Sequence, residues 1–103
     1  MKEAKKTFND IKIGDIIYAY DYELHYGFKM KVTKIINAID YNNDKYTCYN
    51  NDKYTWFECE KCFDHRGYVV IMPNEEKVKT SFRNKAFKFI YFVNEKDYNN
   101  KIY

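Results

Sequence analysis

From Phe8 onward the chain alternates apolar and polar residues with a period of two, the pattern of half-buried strands rather than helices. Ile11 and Ile13 lead into Gly14-Asp15. Ile16, Tyr18, Tyr20 and Tyr22 then fall on one face of a predicted strand, and Ile17, Ala19 and Asp21 fall on the other. After a turn around Glu23 to Gly27, Phe28, Met30 and Val32 alternate with Lys29, Lys31 and Thr33, and the strand is expected to run on through Ile35 and Ile36 toward Ile39. These two segments should pair antiparallel.

Residues 41 to 56, YNNDKYTCYNNDKYTW, state the same seven letters twice. The Asn-Asn-Asp cores suit tight turns, since Asn and Asp tolerate left-handed backbone and hydrogen-bond their own main chain. Lys45 to Asn50 and Lys53 to Cys59 have the Tyr, Thr, Trp and Phe content of strands, so the repeat reads as a meander. A three-residue loop at Asn50 to Asp52 would set Cys48 opposite Tyr54 and Tyr46 opposite Trp56. A one-residue slip in either turn would send every side chain to the other face.

Asp64 to Gly67 reads as a further turn and Tyr68 to Met72 as a short apolar strand stopped by Pro73-Asn74. Glu75 to Phe82 reads as a short helix capped by Asn74, with Val78 and Phe82 on one side. Ala86 to Val93 is the most apolar run, and apolar residues on both of its faces predict a well-buried strand. Asn94 is placed to cap one or two helical turns at the C-terminal end. The fold class expected is mainly β: a small twisted antiparallel sheet or closed barrel of five to seven strands with little helix. Residues 1–7 read as a flexible polar tail and 8–103 as one small domain, as 103 residues support a single modest core.

Composition adds compartment and origin. The opening MKEAKKTFND has no apolar run after its lysines, so neither an export signal nor a membrane span is expected, and the cytoplasm of the producing or infected cell is the expected location. Net charge is +3, with the lysines scattered rather than gathered into a nucleic-acid arm. Many Lys, Asn, Ile, Tyr and Phe with one Pro and three Gly suit A/T-rich codons, as in an A/T-rich bacterium or its phages and mobile elements.

FNDIKIGDIIYAYD, followed after a short loop by KMKVTKI, resembles the opening of SH3-like small β-barrels, the fold of Tudor and KOW domains and of many small phage and plasmid proteins. In that resemblance Gly14-Asp15 begins the first long strand, and Val32 and Ile35 belong to the second. The likeness spans roughly the first 40 residues and implies a binding rather than a catalytic role, without choosing the ligand.

Candidate chemistry centres on the cysteines. Cys48, Cys59, Cys62 and His65 form C-x10-C-x2-C-x2-H, a donor set of the kind that holds structural zinc. Against it stands strand parity, which starts Cys48 and Cys59 on different faces, and the simpler fate of a small buried thiol. A thioredoxin-like role for Cys59-Glu60-Lys61-Cys62 needs a βαβ setting that the pattern lacks. With one Ser and no Gly-rich phosphate loop, no enzymatic role is expected and no cofactor beyond the zinc alternative.

Twelve Tyr and eight Phe exceed what so small a core absorbs, which predicts an aromatic surface for a partner. Tyr18, Tyr20, Tyr22 and Tyr49 with Lys29, Lys31 and Lys88 are the candidate contact residues. The leading expectation is a non-enzymatic interaction module, an anti-defence accessory protein that occludes a host protein or ribonucleoprotein. The alternatives are a nucleic-acid-binding KOW-type module, in which aromatics stack bases and lysines hold phosphates, and a small zinc domain. Self-association through an unpaired sheet edge is a further expectation.

Overall fold

The computed structural model describes residues 5–37 and 54–102, the side chains of residues 37 and 102 excepted. Of the repeat only Tyr54 and Thr55 fall in this range; Cys48, Tyr49 and the predicted turns at 41–52 lie outside the described residues.

Six antiparallel strands form one curled half-barrel sheet: β1 (Ile16–Asp21), β2 (Tyr26–Asn37), β3 (Tyr54–Lys61), β4 (Gly67–Pro73), β5 (Ser81–Asn84) and β6 (Phe89–Phe92), in the spatial order β4-β3-β2-β1-β6-β5. The predicted pairing of the first two strands is present, with Ile16 opposite Lys31 and Asp21 opposite Tyr26. Strand alternation sends Ile17 and Ala19 of β1, Phe28, Met30 and Val32 of β2, Phe57 and Cys59 of β3, Val70 and Met72 of β4 and Tyr91 of β6 to the concave face, where all are buried. Each large apolar side chain buried this way contributes about 1.5–3 kcal/mol, which is what makes the sheet curl around its core.

Strict alternation does not survive along β2. The register shifts between Val32 and Lys34, where Thr33 is the extra residue and its hydroxyl donates to the Glu58 carbonyl at 3.1 Å. Past this bulge the parity inverts: Ile35 opposite Phe57 packs against the core, and Lys34 and Ile36 stand opposite Glu58 and Trp56.

One end of the half-barrel is plugged. A 3-10 turn at Phe8–Asp10, with the Thr7 N–H donating to Asp10 Oδ2 at 2.9 Å, drives Phe8 and Ile11 into the core. Its backbone is tied to the segment before β5, Phe8 N–H to Lys79 O at 3.2 Å and Asn9 N–H to Lys77 O at 2.9 Å. Lys6 reaches Asp15 at 2.6 Å and Lys5 reaches Asp97 at 2.9 Å, so residues 5–7 are bonded to the body of the fold.

Two predicted elements are corrected. Glu75 to Phe82 is not a helix: a 3-10 turn at Asn74–Glu76 gives way to a turn, and Phe82 belongs to β5. The apolar run Ala86 to Val93 is not one strand. Residues 85–88 turn the chain back between β5 and β6, which leaves Phe87 64% exposed, and β5, whose first two residues fall within the predicted helix, pairs with β6 from Ser81 opposite Phe92 to Asn84 opposite Phe89. Pairing energy across the hairpin outweighs the weak helical preference of a segment so short.

The C-terminal segment is a helix, α1 (Glu95–Ile102), with Glu95 and Asp97 in its first turn and Lys101 in its last, as its dipole favours. Eight residues are too few to hold a helix unaided. Tyr98 anchors it to the convex face, stacked on Tyr18 at 5.1 Å between centroids and edge-on to Phe92 at 6.3 Å. Tyr20, Phe92 and Tyr98 form a second, smaller buried cluster there, with Tyr18, Tyr22 and Ile90 packed around it. Gly27 makes room for this contact: a Cβ there would collide with the Tyr98 phenol, whose Cε1 and Cζ would lie 3.0 Å away.

Candidate functional site

In an antiparallel sheet of this order, the turns β1–β2 (22–25), β3–β4 (62–66) and β5–β6 (85–88) project from the same end, opposite the plug. They carry the exposed apolar side chains Leu24 (76%), Phe63 (95%) and Phe87 (64%), with Tyr26 half exposed beside them, while Ile13 (66%) and Val78 (64%) stand exposed on the segments before β1 and β5. Scattered exposed apolar residues are ordinary, but these three stand on turns that share one end of the sheet.

The backbone at this end is unusual too. All four described non-glycine residues with positive φ lie here: His25 (54°), Phe63 (81°), His65 (60°) and Lys88 (63°). Tight hairpin turns demand left-handed residues, normally supplied by Gly or Asn. Bulkier residues hold that conformation at a local cost, of a kind that gathers at functional sites.

Side-chain contacts join the three tips. Lys88 reaches Glu23 at 3.1 Å, its carbonyl accepts from the Tyr22 N–H at 3.1 Å, and the Arg83 guanidinium lies 4.3 Å over the Tyr22 ring, which links the first and third turns. Lys61 links the first and second. Its buried ammonium donates to Tyr26 Oη at 2.9 Å, lies 4.9 Å from the Phe28 ring centroid and meets Asp64 at 3.2 Å. Asp64 also accepts from Arg66 Nε at 3.1 Å and Nη2 at 2.9 Å. The hydrogen bond to Tyr26 raises the Lys61 pKa, and the Arg66 hydrogen bonds hold the Asp64 carboxyl down to about 2. Just inside this mouth Tyr26, Phe28, Tyr68 and Phe89 pack as a run of rings 5.1 to 5.8 Å apart.

The residues singled out from sequence are dispersed by the fold. Tyr18 and Tyr20 sit under α1, Tyr20 almost fully buried and hydrogen-bonded to His25 Nδ1 at 3.0 Å. Tyr22 and Lys88 belong to the hairpin end. Lys29 and Lys31 are exposed on the convex face, where Lys29 lies 3.6 Å from Glu95 of the helix. Tyr49 lies outside the described residues.

Of the zinc candidates, Cys48 lies outside the described residues. Cys59 is buried in the concave core, where burial pushes its thiol up to about 12. Cys62 lies past the end of β3, close enough to the convex-face residue Tyr18 to raise its phenol after burial and Glu95. His65 is exposed and hydrogen-bonded to Glu60. Among the described residues no three His, Cys, Asp or Glu side chains group to hold a metal ion. No helix of the described chain is long and apolar enough to cross a membrane.

Sequence reading missed Leu24, Phe63 and Phe87 as a set. The available signal was topological: turns one and three of a four-strand meander share an end, and a β6 paired with β1 brings its own hairpin to the same side. Comparison with protein-family models, with curated proteins and with solved structures finds no match.

Proposed function

We propose that this chain is a non-enzymatic interaction module whose hairpin end docks onto a partner protein and occludes part of its surface. The carrying observation is that exposed Leu24, Phe63 and Phe87 stand on three turns at one end of the sheet, braced by the β-scaffold. The A/T-codon composition supports placing it among phage or mobile-element accessory proteins, with a host protein or ribonucleoprotein as target. The likeness of its opening strands to SH3-like barrels, a fold used mainly for binding, supports the same reading.

A protein surface fits this end better than a phosphate backbone. Arg66 and Lys61 are committed to Asp64, and Lys88 to Glu23, so much of the basic charge beside the exposed rings is already neutralised.

The test is parallel capture from a host lysate by the native chain and by the variant Leu24→Ser, Phe63→Ser, Phe87→Ser. The reading expects a stoichiometric protein held by the first and lost by the second. Retention of that protein by the variant overturns the site, and a band shift with RNA or DNA that is lost in the same variant overturns the partner class.

A further inference from the structure

The two terminal strands of the sheet are unlike each other. β5 is four residues long and carries Arg83, so it is short and charged, as exposed edges usually are. β4, Gly67–Pro73 (GYVVIMP), is seven residues long, contains no charge, and has β3 as its only strand neighbour among the described residues. Its one defensive residue, Pro73, stands at the very end.

Hydrogen-bond parity fixes which of its groups face outward. The Lys61 N–H donates to the Arg66 carbonyl at 2.7 Å, so in the register running from Glu60 opposite Gly67 to Tyr54 opposite Pro73, Tyr68, Val70 and Met72 bond to β3. The N–H and C=O groups of Gly67, Val69 and Ile71 therefore point away from the sheet. The missing N–H of Pro73 falls on that same outer side, where it costs the β3–β4 ladder nothing.

We infer that β4 is a self-pairing edge, and that its occupant is β4 of a second copy of this chain. A two-fold axis at Val70 sets Val69 opposite Ile71 of the second copy, Tyr68 opposite Met72 and Gly67 opposite Pro73. Val69 and Ile71 then exchange both backbone bonds in each of two equivalent pairs, and the Gly67 N–H meets the Pro73 carbonyl. Val69, 42% exposed on the convex face, gains an apolar cross-strand partner, and Trp56 opposite Ile71 extends the strip on each side. Charge does not oppose this direction of pairing. The antiparallel arrangement brings the Arg66–Asp64 pair of one strand's start toward Glu75 and the Lys79–Glu76 pair past the other's end, so no uncompensated like charges meet, and the strand between carries nothing that repels its own copy. The edge begins directly after the β3–β4 turn, and its pairing uses none of Leu24, Phe63 and Phe87.

One strand pair is a small interface, of the class below about 1,200 Å² that supports weak association. Sedimentation velocity on the full chain, from about 5 to about 500 µM, is expected to show a monomer–dimer equilibrium that Val69→Lys weakens at least tenfold. Amide hydrogen exchange on the native protein over the same range reads the register without any variant: Val69 and Ile71 should slow as concentration rises, and Val70 and Met72 should not change. A monomer throughout overturns the inference. So does a dimer whose Val69 and Ile71 amides exchange independently of concentration, a result that assigns association to another surface such as the hairpin end.

Discussion

The two ends of the half-barrel solve opposite problems. At the plugged end polar groups are used inward: Thr55, buried, donates to Asn74 Oδ1 at 2.5 Å, and Lys77 donates to Thr55 at 3.3 Å, while burial lowers the lysine's pKa. Phe8 seals that end at 1% exposure. The hairpin end turns the same residue type outward, Phe63 at 95%, on backbone that L side chains seldom adopt. One end is arranged to hold the fold together, and the other carries exposed side chains on strained turns, the surface proposed for a partner.

Phe8→Ala breaks the contrast most directly. Deleting a fully buried ring should cost about 3–5 kcal/mol, a large share of the stability of so small a domain, read as the midpoint of urea unfolding. Gly27→Ala sharpens the boundary of the hairpin end. Next to exposed Tyr26, it should push Tyr98 out of its cluster and cost about 1–3 kcal/mol, with loss of the Tyr98–Tyr18 contact by NMR; an unchanged helix signal would show that the contact is slack.

Acid is a gentler probe of the hairpin end. Asp64 titrates at about 2 in the fold against an ordinary 3.8, so its carboxylate favours the folded state above pH 3.8, and that contribution fades as pH falls toward 2. NMR should find its midpoint near the lower value, and Arg66→Met should raise it. The smallest effect is expected at the tips: Phe63→Ala and Phe87→Ala should each move stability by no more than about 0.5 kcal/mol while weakening partner capture. A large loss of stability in either would mean that the ring is packed rather than presented.

Much of the sheet was legible in the sequence because alternation is a local signal. Ile16 to Asp21 against Phe28 to Val32 followed from period two, and the strand at Tyr68 to Met72 from a short apolar run stopped by Pro73-Asn74. What failed were turns made without the usual residues. Nothing in Asn84-Lys85-Ala86-Phe87-Lys88 announces a reversal, since the left-handed position is taken by Lys88 rather than Gly, and so a hairpin read as a helix followed by one long strand. The tyrosine face failed for a different reason. Tyr18, Tyr20 and Tyr22 do share a face, as the pattern requires, but only the tertiary fold reveals that Tyr98, far along the chain, comes back to cover part of it. The hairpin end was invisible because its members are joined by strand order and by no spacing in the chain.

The left-handed residues also set a trap for protein engineering. Glycine relieves positive-φ strain, commonly by about 1 kcal/mol per site, so a screen for thermal stability would be drawn toward Gly at positions 25, 63, 65 and 88. Such a variant would melt later and arrive without Phe63, the most exposed of the tip residues, and without the Lys88 contact to Glu23. Improvement by melting temperature alone would therefore select against the surface proposed for recognition.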